Sequence, residues 1–237
     1  MLHEFVRRPL GPAFISDYDW PIKKFSSNNT LTVAKRLLAV VMLVVVSGCY
    51  MPIRFDAEID INRRGEYSFI FDGYLAKVQL YQDIQAGEVS REEELKQVSL
   101  IKDDFERDAA VSDFKYYEKA HFHINYDRSG NLIKVKTMTF FRRNEYILGI
   151  SFNKNTGQIS MLGKSLASDV KARLRASGLD TSGELRIFSD GIVVSHNATT
   201  VRPFEKRGPG YKMYTWKIAN LLSPTPAFKI QVHSPRQ

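Results

Sequence analysis

Residues 55–71, FDAEIDINRRGEYSFIF, contain the clearest alternation of apolar and polar residues in the chain. Apolar side chains occupy every second position from Phe55 to Ile61, which is typical of a strand with one buried face. Turn-forming residues follow at 62–65, and a second alternating run begins at Tyr67. The sequence therefore predicts a β-hairpin at this point.

The remaining sequence predicts more hairpins and two helices. Ser90 and Glu93 form a capping-box pattern, and apolar residues recur behind them at helical spacing, so we expect an amphipathic helix from about 91 to 109. A short helix is predicted at 169–176. Strands are predicted at 114–126, 132–141, 213–218 and 228–232, with hairpin loops at 127–131, 153–157 and 189–191. Together these elements predict an α+β domain: an antiparallel sheet built of hairpins with one long and one short helix packed on it.

A segment typical of a secretory signal precedes this domain. Lys35 and Arg36 are followed by an uncharged apolar run at 37–46 and then by small residues. The apolar run is about ten residues long, well short of the roughly 20 that a membrane-spanning helix needs. We therefore expect a cleaved signal rather than a permanent transmembrane anchor.

Residues 46–49, VSGC, resemble the lipobox of bacterial lipoproteins, in which an aliphatic residue and two small residues precede a cysteine. In that family the cysteine thiol receives a diacylglycerol, and the chain is then cut before the cysteine. The resemblance implies lipidation of Cys49, with 1–48 as an N-terminal extension and lipoprotein signal peptide and 49–237 as a single envelope domain. A buried apolar strand that ends in Gly-Cys is the alternative interpretation.

The same resemblance implies a location. We expect a lipoprotein of the cell envelope, attached to the membrane through acylated Cys49. Tyr50 follows the cysteine in place of the Asp that retains lipoproteins in the inner membrane. In a source with two membranes we therefore expect the outer membrane, facing the periplasm. Residues 1–30 are long for the start of a signal, so either translation starts near Leu31 or Val33 or the segment is a genuine extension.

The charge distribution limits the classes of partner. The chain has 34 Lys and Arg against 26 Asp and Glu, and its net charge is +8. The basic residues are spread along the sequence rather than clustered, which argues against a nucleic-acid partner. A spread basic charge fits attraction to anionic lipid headgroups. Because Cys49 is the only cysteine, no disulfide can form within the chain.

The part after the lipobox carries a second resemblance. The segments 50–55, 190–198 and 214–216 are similar, in this order, to the family of secreted domains that includes the mycobacterial lipoprotein LppM. The resemblance spans most of residues 50–232. It implies an α+β fold and, for the best-known member, recognition of membrane glycolipids. Many members carry a C-terminal apolar segment that this sequence lacks, so we expect anchoring by lipidation alone.

No catalytic or metal-binding motif is complete. His121 and His123 share one face of a predicted strand with Asp127, but no full set of zinc ligands follows, and surface histidines are the alternative. Ser195 and His196 lack the flanking pattern of a hydrolase nucleophile. We therefore predict no metal, no cofactor and no enzymatic activity. An envelope hydrolase whose site forms only in three dimensions is the alternative.

A candidate ligand surface combines aromatic and basic residues. Its members are Arg142, Arg143, Lys212, Tyr214, Trp216 and Lys217. Aromatic rings beside cations suit lipid headgroups or glycans. In the alternative interpretation the aromatic residues are sheet core and the cations form its solvated side. The sequence thus predicts a lipid-anchored, noncatalytic protein that binds a lipid, a glycolipid or an envelope partner, or that serves as an accessory of a membrane complex.

Overall fold

The computed structural model describes residues 50–141 and 147–232, which contain twelve strands and four α-helices. The strands are β1 (Tyr50–Ile61), β2 (Glu66–Lys77), β3 (Val111–Tyr116), β4 (His121–Asn131), β5 (Thr137–Phe140), β6 (Leu148–Asn153), β7 (Gln158–Gly163), β8 (Ser182–Ser189), β9 (Ile192–His196), β10 (Thr200–Pro203), β11 (Lys212–Ile218) and β12 (Ala227–Gln231). The helices are α1 (Val78–Gln85), α2 (Arg91–Glu106), α3 (Leu132–Val135) and α4 (Ser168–Ala176), with a 3₁₀ turn at Glu205–Arg207.

The strands form two sheets. The seven-stranded sheet has the order β10-β11-β8-β1-β2-β4-β3, and the five-stranded sheet has the order β5-β6-β7-β12-β9. The hairpin predicted from residues 55–71 is confirmed, because β1 and β2 pair in antiparallel register from Tyr50↔Lys77 to Ile61↔Tyr67. Its turn is held by Asn62, whose Oδ1 accepts hydrogen bonds from the backbone amides of Arg64 and Glu66 at 2.9 and 3.1 Å.

The predicted fold class is wrong. Instead of one antiparallel sheet with one long and one short helix, the described residues form two sheets and four helices, and strands predominate. The seven-stranded sheet is also not purely antiparallel, since β1 pairs with β8 in parallel from Arg54↔Ser182 to Asp60↔Phe188. Parallel pairing requires a long crossover, and here the crossover contains the whole chain between the two strands. No local pattern in the sequence indicates such a pairing.

Three local predictions fail for related reasons. Residues 127–131 continue β4 instead of forming a loop, and the following residues turn into α3, where a strand was expected. The loop at 189–191 does not close a hairpin, because β8 belongs to the seven-stranded sheet and β9 to the five-stranded sheet. Helix α1 follows β2 directly and has no counterpart in the prediction. Pairing of β4 with β2 extends the strand through 127–131, and the change of sheet separates β8 from β9.

Other local predictions are confirmed. Ser90 caps α2, and its hydroxyl accepts a hydrogen bond of 3.2 Å from the Glu93 amide. The helix ends at Glu106, slightly earlier than expected. The loop at 153–157 joins β6 and β7, which pair from Leu148↔Gly163 to Asn153↔Gln158.

Aromatic side chains form much of the core between the sheets. The rings of Phe69 on β2 and Phe140 on β5 have centroids 5.0 Å apart, and those of Tyr214 on β11 and Phe228 on β12 lie 4.9 Å apart. These contacts join the two sheets face to face. A second cluster of buried residues involves α1, α2 and α4. Within the described ranges, no helix is long and apolar enough to cross a membrane.

Candidate functional site: an apolar cleft

A cleft of about 390 Å³ opens between the two sheets, close to the first residues of β1. Its apolar lining comes from both sheets and includes Phe55, Phe69, Phe71, Phe140, Leu148 and Leu185. The lining is completed by the segment from β7 into α4 and by the segment between β11 and β12. A cavity of this size and lining is within the range that holds small ligands in proteins.

Two glycines make room for Phe55 in the cleft wall. Gly73 on β2 and Gly183 on β8 are the register partners of Phe55 on the two neighbouring strands. A Cβ atom on Gly73 would lie 2.7 Å from the Phe55 Cβ, and one on Gly183 would lie 2.7 Å from the Phe55 Cδ1. Because both distances are shorter than van der Waals contact, larger residues would displace Phe55. Its ring stacks instead on Phe71, with centroids 5.8 Å apart.

Asp180 connects two segments of the cleft wall. Its Oδ1 accepts hydrogen bonds from the backbone amides of Leu221 at 2.7 Å and Thr181 at 2.9 Å, and its Oδ2 accepts one from the Arg175 Nε at 3.0 Å. Burial raises the pKa of this carboxyl, but the hydrogen bonds from Leu221 and Thr181 and the charge of Arg175 outweigh burial and lower the pKa below its ordinary value. The ionised carboxylate thus holds the segment after α4 against the segment after β11.

The polar part of the cleft is basic. Among the described residues that line it, the only charged ones are Lys164, just after β7, and Lys171 in α4. Both side chains are half-buried. The hydroxyl of Thr181, which also lines the cleft, is buried without a hydrogen-bond partner among the described residues. The arrangement can therefore hold an apolar chain and offer hydrogen-bond donors to a polar group.

The structure separates the residues of the candidate ligand surface. Tyr214 and Trp216 are only 4% and 3% exposed and pack in the core. This agrees with the alternative interpretation, in which the aromatic residues belong to the core of the sheet. Lys212 and Lys217 are exposed, and their odd spacing of five along β11 directs them to opposite faces of the sheet. The structure thus does not bring these two aromatic rings to a common surface with the lysines. The other two members, Arg142 and Arg143, lie outside the described residues, as does Cys49.

The two histidines of the considered metal site have separate partners. His121 Nδ1 lies 2.8 Å from the backbone oxygen of Lys119, and its ring contacts Tyr81 edge-on. His123 Nε2 lies 2.8 Å from the Asp72 Oδ1 on the outer face of the seven-stranded sheet. Over residues 50–141 and 147–232, no group of three or more His, Cys, Asp and Glu side chains is arranged to hold a metal ion.

Sequence patterns did not point to the polar residues of the cleft. Lys164 and Thr181 lie in connecting segments, and Lys171 lies in the short helix α4. These segments meet because β7 and β8 belong to different sheets, which the sequence did not predict. One local feature did indicate a loop at this wall: the prolines Pro224 and Pro226 lie in the connection between β11 and β12 that lines the cleft.

The fold and the cleft define a two-sheet β domain with helices and an apolar cavity. No family model matches the sequence, and no curated protein does. Among solved structures, the chain has a weak similarity to the NMR structure of the folded domain of LppM from Mycobacterium tuberculosis. The identity is 12% and the TM-score 0.42, and the alignment covers 79% of this chain and 94% of that chain.

Proposed function

We propose that this protein is a lipid-anchored, noncatalytic protein of the cell envelope that binds the acyl chain of an amphiphile in the apolar cleft. The observation that carries the proposal is the cleft itself, about 390 Å³ with aromatic and aliphatic walls from both sheets. Burial of an acyl chain contributes about 0.8 kcal/mol for each methylene group removed from water. A cleft with such walls therefore suits an apolar chain better than a polar metabolite.

The position of the predicted anchor supports the same function. Tyr50 lines the cleft, and Cys49 precedes it directly in the sequence. Because one extended residue spans only about 3.3–3.6 Å, acylation of Cys49 would keep this part of the cleft close to the bilayer surface. An acyl chain could then enter the cleft from the membrane with little exposure to water.

Binding is tested with the full chain and cis-parinaric acid, a fluorescent fatty acid. Ala167 lines the cleft and is exposed, so Ala167→Trp should fill the cavity without disturbing the core. We expect the affinity for the probe to fall at least about tenfold, which corresponds to a loss of 1.4 kcal/mol. Ala172→Trp, an exposed position of α4 outside the lining, is the matched control and should bind as the wild type does.

The apolar run at 37–46 is present in every variant, so the difference between Ala167→Trp and Ala172→Trp reports on the cleft alone. Absence of probe binding by the wild type would overturn the proposal, and so would equal affinities of the two tryptophan variants.

The anchor needs a separate test. Cys49→Ser should leave an unprocessed precursor and abolish labelling with radioactive palmitate in cells. Palmitate labelling of the Cys49→Ser variant at the wild-type level would contradict lipidation at this residue.

A further inference from the structure

We infer that the cleft holds one acyl chain of about 13 carbons and excludes a second chain. This inference rests on the proposed function, since it specifies the ligand of the same cleft. It is carried by the volume of the cleft, by the aromatic contacts that close its inner end, and by the register positions at which its lining stops. Together these features set how many methylene groups can leave water.

The volume of the cleft limits the length of a bound chain. The cleft encloses about 390 Å³. A methylene group is similar in size to a water molecule, whose share of liquid volume is about 30 Å³, so the space corresponds to about 13 methylene groups. Two chains of that length would need about twice this volume. The cleft therefore suits a fatty acid, a lysolipid or one chain of a two-chain lipid.

Aromatic rings from both sheets close the inner end of the cleft. This aromatic block consists of Phe69 and Phe71 on β2 and Phe140 on β5, which all line the cleft. The Phe140 ring centroid lies 5.0 Å from that of Phe69 and 4.7 Å from that of Phe71. Rings at these distances are in contact, so an acyl chain cannot pass between them. All three are buried, whereas Ser165 and Ala167, which also line the cleft, are exposed and mark its open side.

The pairing of the strands shows where the lining stops. On β1 the innermost lining residue is Ala57, which is the register partner of Phe71 on β2 and of Leu185 on β8. The next inward-facing pair of β1 and β8, Ile59 and Ile187, is fully buried and does not line the cleft. A bound chain therefore ends between Ala57 and the aromatic block, and carbons in excess of the available length remain in water at the open side.

The test measures how affinity depends on chain length. Saturated fatty acids from about 8 to 18 carbons displace cis-parinaric acid from the full chain, at concentrations too low for micelles to form. We expect the affinity to rise about fourfold for each added methylene group, equivalent to about 0.8 kcal/mol, up to about 13 carbons and to stay constant for longer acids. A rise that continues to the longest acid would overturn the inference, and so would a plateau reached at about 10 carbons or fewer.

Titration calorimetry with tridecanoate counts the bound chains. We expect one site per protein that is weakened in Ala167→Trp, because that substitution fills the cleft. A site that is unchanged in this variant lies outside the cleft, since the apolar run at 37–46 is present in both proteins. Two sites weakened together in Ala167→Trp would overturn the exclusion of a second chain.

Two lining variants should move the plateau in opposite directions. Ala57→Leu adds volume at the inner end and should favour shorter chains, whereas Phe71→Ala removes a ring there and should favour longer ones, each by at least about two carbons. Phe228→Ala is the matched control, because Phe228 is as buried as Phe71 but does not line the cleft, and its plateau should stay in place. Circular dichroism checks the folding of each variant, and the wild-type series decides the inference if a variant does not fold.

The outcomes separate this inference from the proposed function. Displacement of the probe without a plateau would overturn the limit on chain length and leave acyl binding standing. Failure of every fatty acid to displace the probe would overturn both. A plateau that does not move in folded Ala57→Leu and Phe71→Ala variants would show that the chain ends elsewhere and would overturn the inference.

Discussion

The carboxylate of Asp180 accepts a hydrogen bond of 2.7 Å from the backbone amide of Leu221, 41 residues later in the chain. The contact joins the segment after α4 to the segment after β11, and Leu221 and Thr181 on either side of it both line the cleft. The lowered pKa of Asp180 shows that this contact favours the ionised carboxylate. The stability of this part of the cleft wall should therefore depend on pH.

Asp180→Asn should lower the free energy of unfolding at neutral pH and make it less dependent on pH. A carboxyl whose pKa is lower in the folded state stabilises the protein above its unfolded pKa of about 3.9, and that stabilisation is lost as the pH falls through the folded value. Because the group is partly exposed, we expect a loss of only about 1 kcal/mol at neutral pH. Urea unfolding at neutral and acidic pH measures this loss. The difference in the free energy of unfolding between wild type and variant should become smaller at acidic pH.

Asp169→Asn is the matched control for this prediction. Asp169 also pairs with an arginine of α4, but this partner, Arg173 at 3.0 Å, lies in the same helix, and the Asp169 side chain is 65% exposed. We expect its replacement to change the free energy of unfolding by less than about 0.5 kcal/mol. Equal effects of the two substitutions would show that the link to Leu221 does not stabilise the wall.

Gly183→Ala should destabilise the domain by about 1–3 kcal/mol, the usual cost of forcing extra volume into a packed site. The added methyl group would clash with the Phe55 backbone oxygen and lie 2.7 Å from the Phe55 Cδ1, so both the β1 backbone and the Phe55 side chain must shift. Thermal or urea unfolding measures the stability. Ser182→Ala, at an exposed position of the same strand, serves as the control and should lie within about 0.5 kcal/mol of the wild type. A Gly183→Ala variant as stable as this control would refute the close packing.

Arg186→Ala should also be destabilising, by about 1–3 kcal/mol. Arg186 on β8 pairs with Asp56, with Glu58 at 3.0 Å and with Glu184 at 2.8 Å, and only 20% of its side chain is exposed. Its removal leaves three carboxylates close together without their shared partner. Urea unfolding at low and high salt measures the effect, which should be smaller at high salt because the remaining carboxylates repel each other less.

Arg64→Ala is the control for the Arg186 prediction. Arg64 also pairs with a glutamate, Glu66 at 3.3 Å, but its side chain is 75% exposed. Exposed ion pairs contribute little, so we expect a change below about 0.5 kcal/mol. An Arg186→Ala variant no less stable than Arg64→Ala would mean that the three-carboxylate contact has no net stabilising effect.

Trp216→Ala should cost about 3–5 kcal/mol, as for other large core residues. Trp216 is 3% exposed, contacts Phe228 and donates a hydrogen bond of 2.7 Å from its Nε1 to the Asn197 Oδ1. Lys217→Ala, at the exposed neighbouring position, should be nearly neutral. Circular dichroism melting curves compare the two variants. A folded Trp216→Ala variant with wild-type stability would contradict the core role of this residue.

Local patterns in the sequence were sufficient for the features that depend on near neighbours. The alternation in residues 55–71 predicted the β1–β2 hairpin, and Ser90 with Glu93 predicted the start of α2. The turn at 153–157 was likewise predicted where it occurs. In these places the hydrogen bonds and apolar contacts lie within a few residues or across one short turn, so periodicity and turn chemistry determine the structure.

Only the tertiary structure decided how these pieces combine. The parallel pairing of β1 with β8 joins residues more than a hundred positions apart, and the change of sheet near Asp190 places β9 beside β12 instead of β8. The burial of Tyr214 and Trp216 and the meeting of Lys164, Lys171 and Thr181 at one cleft follow from that arrangement. A strand's partner depends on the fit of its side chains to distant surfaces, and neither hydrophobic period nor turn residues encode that fit.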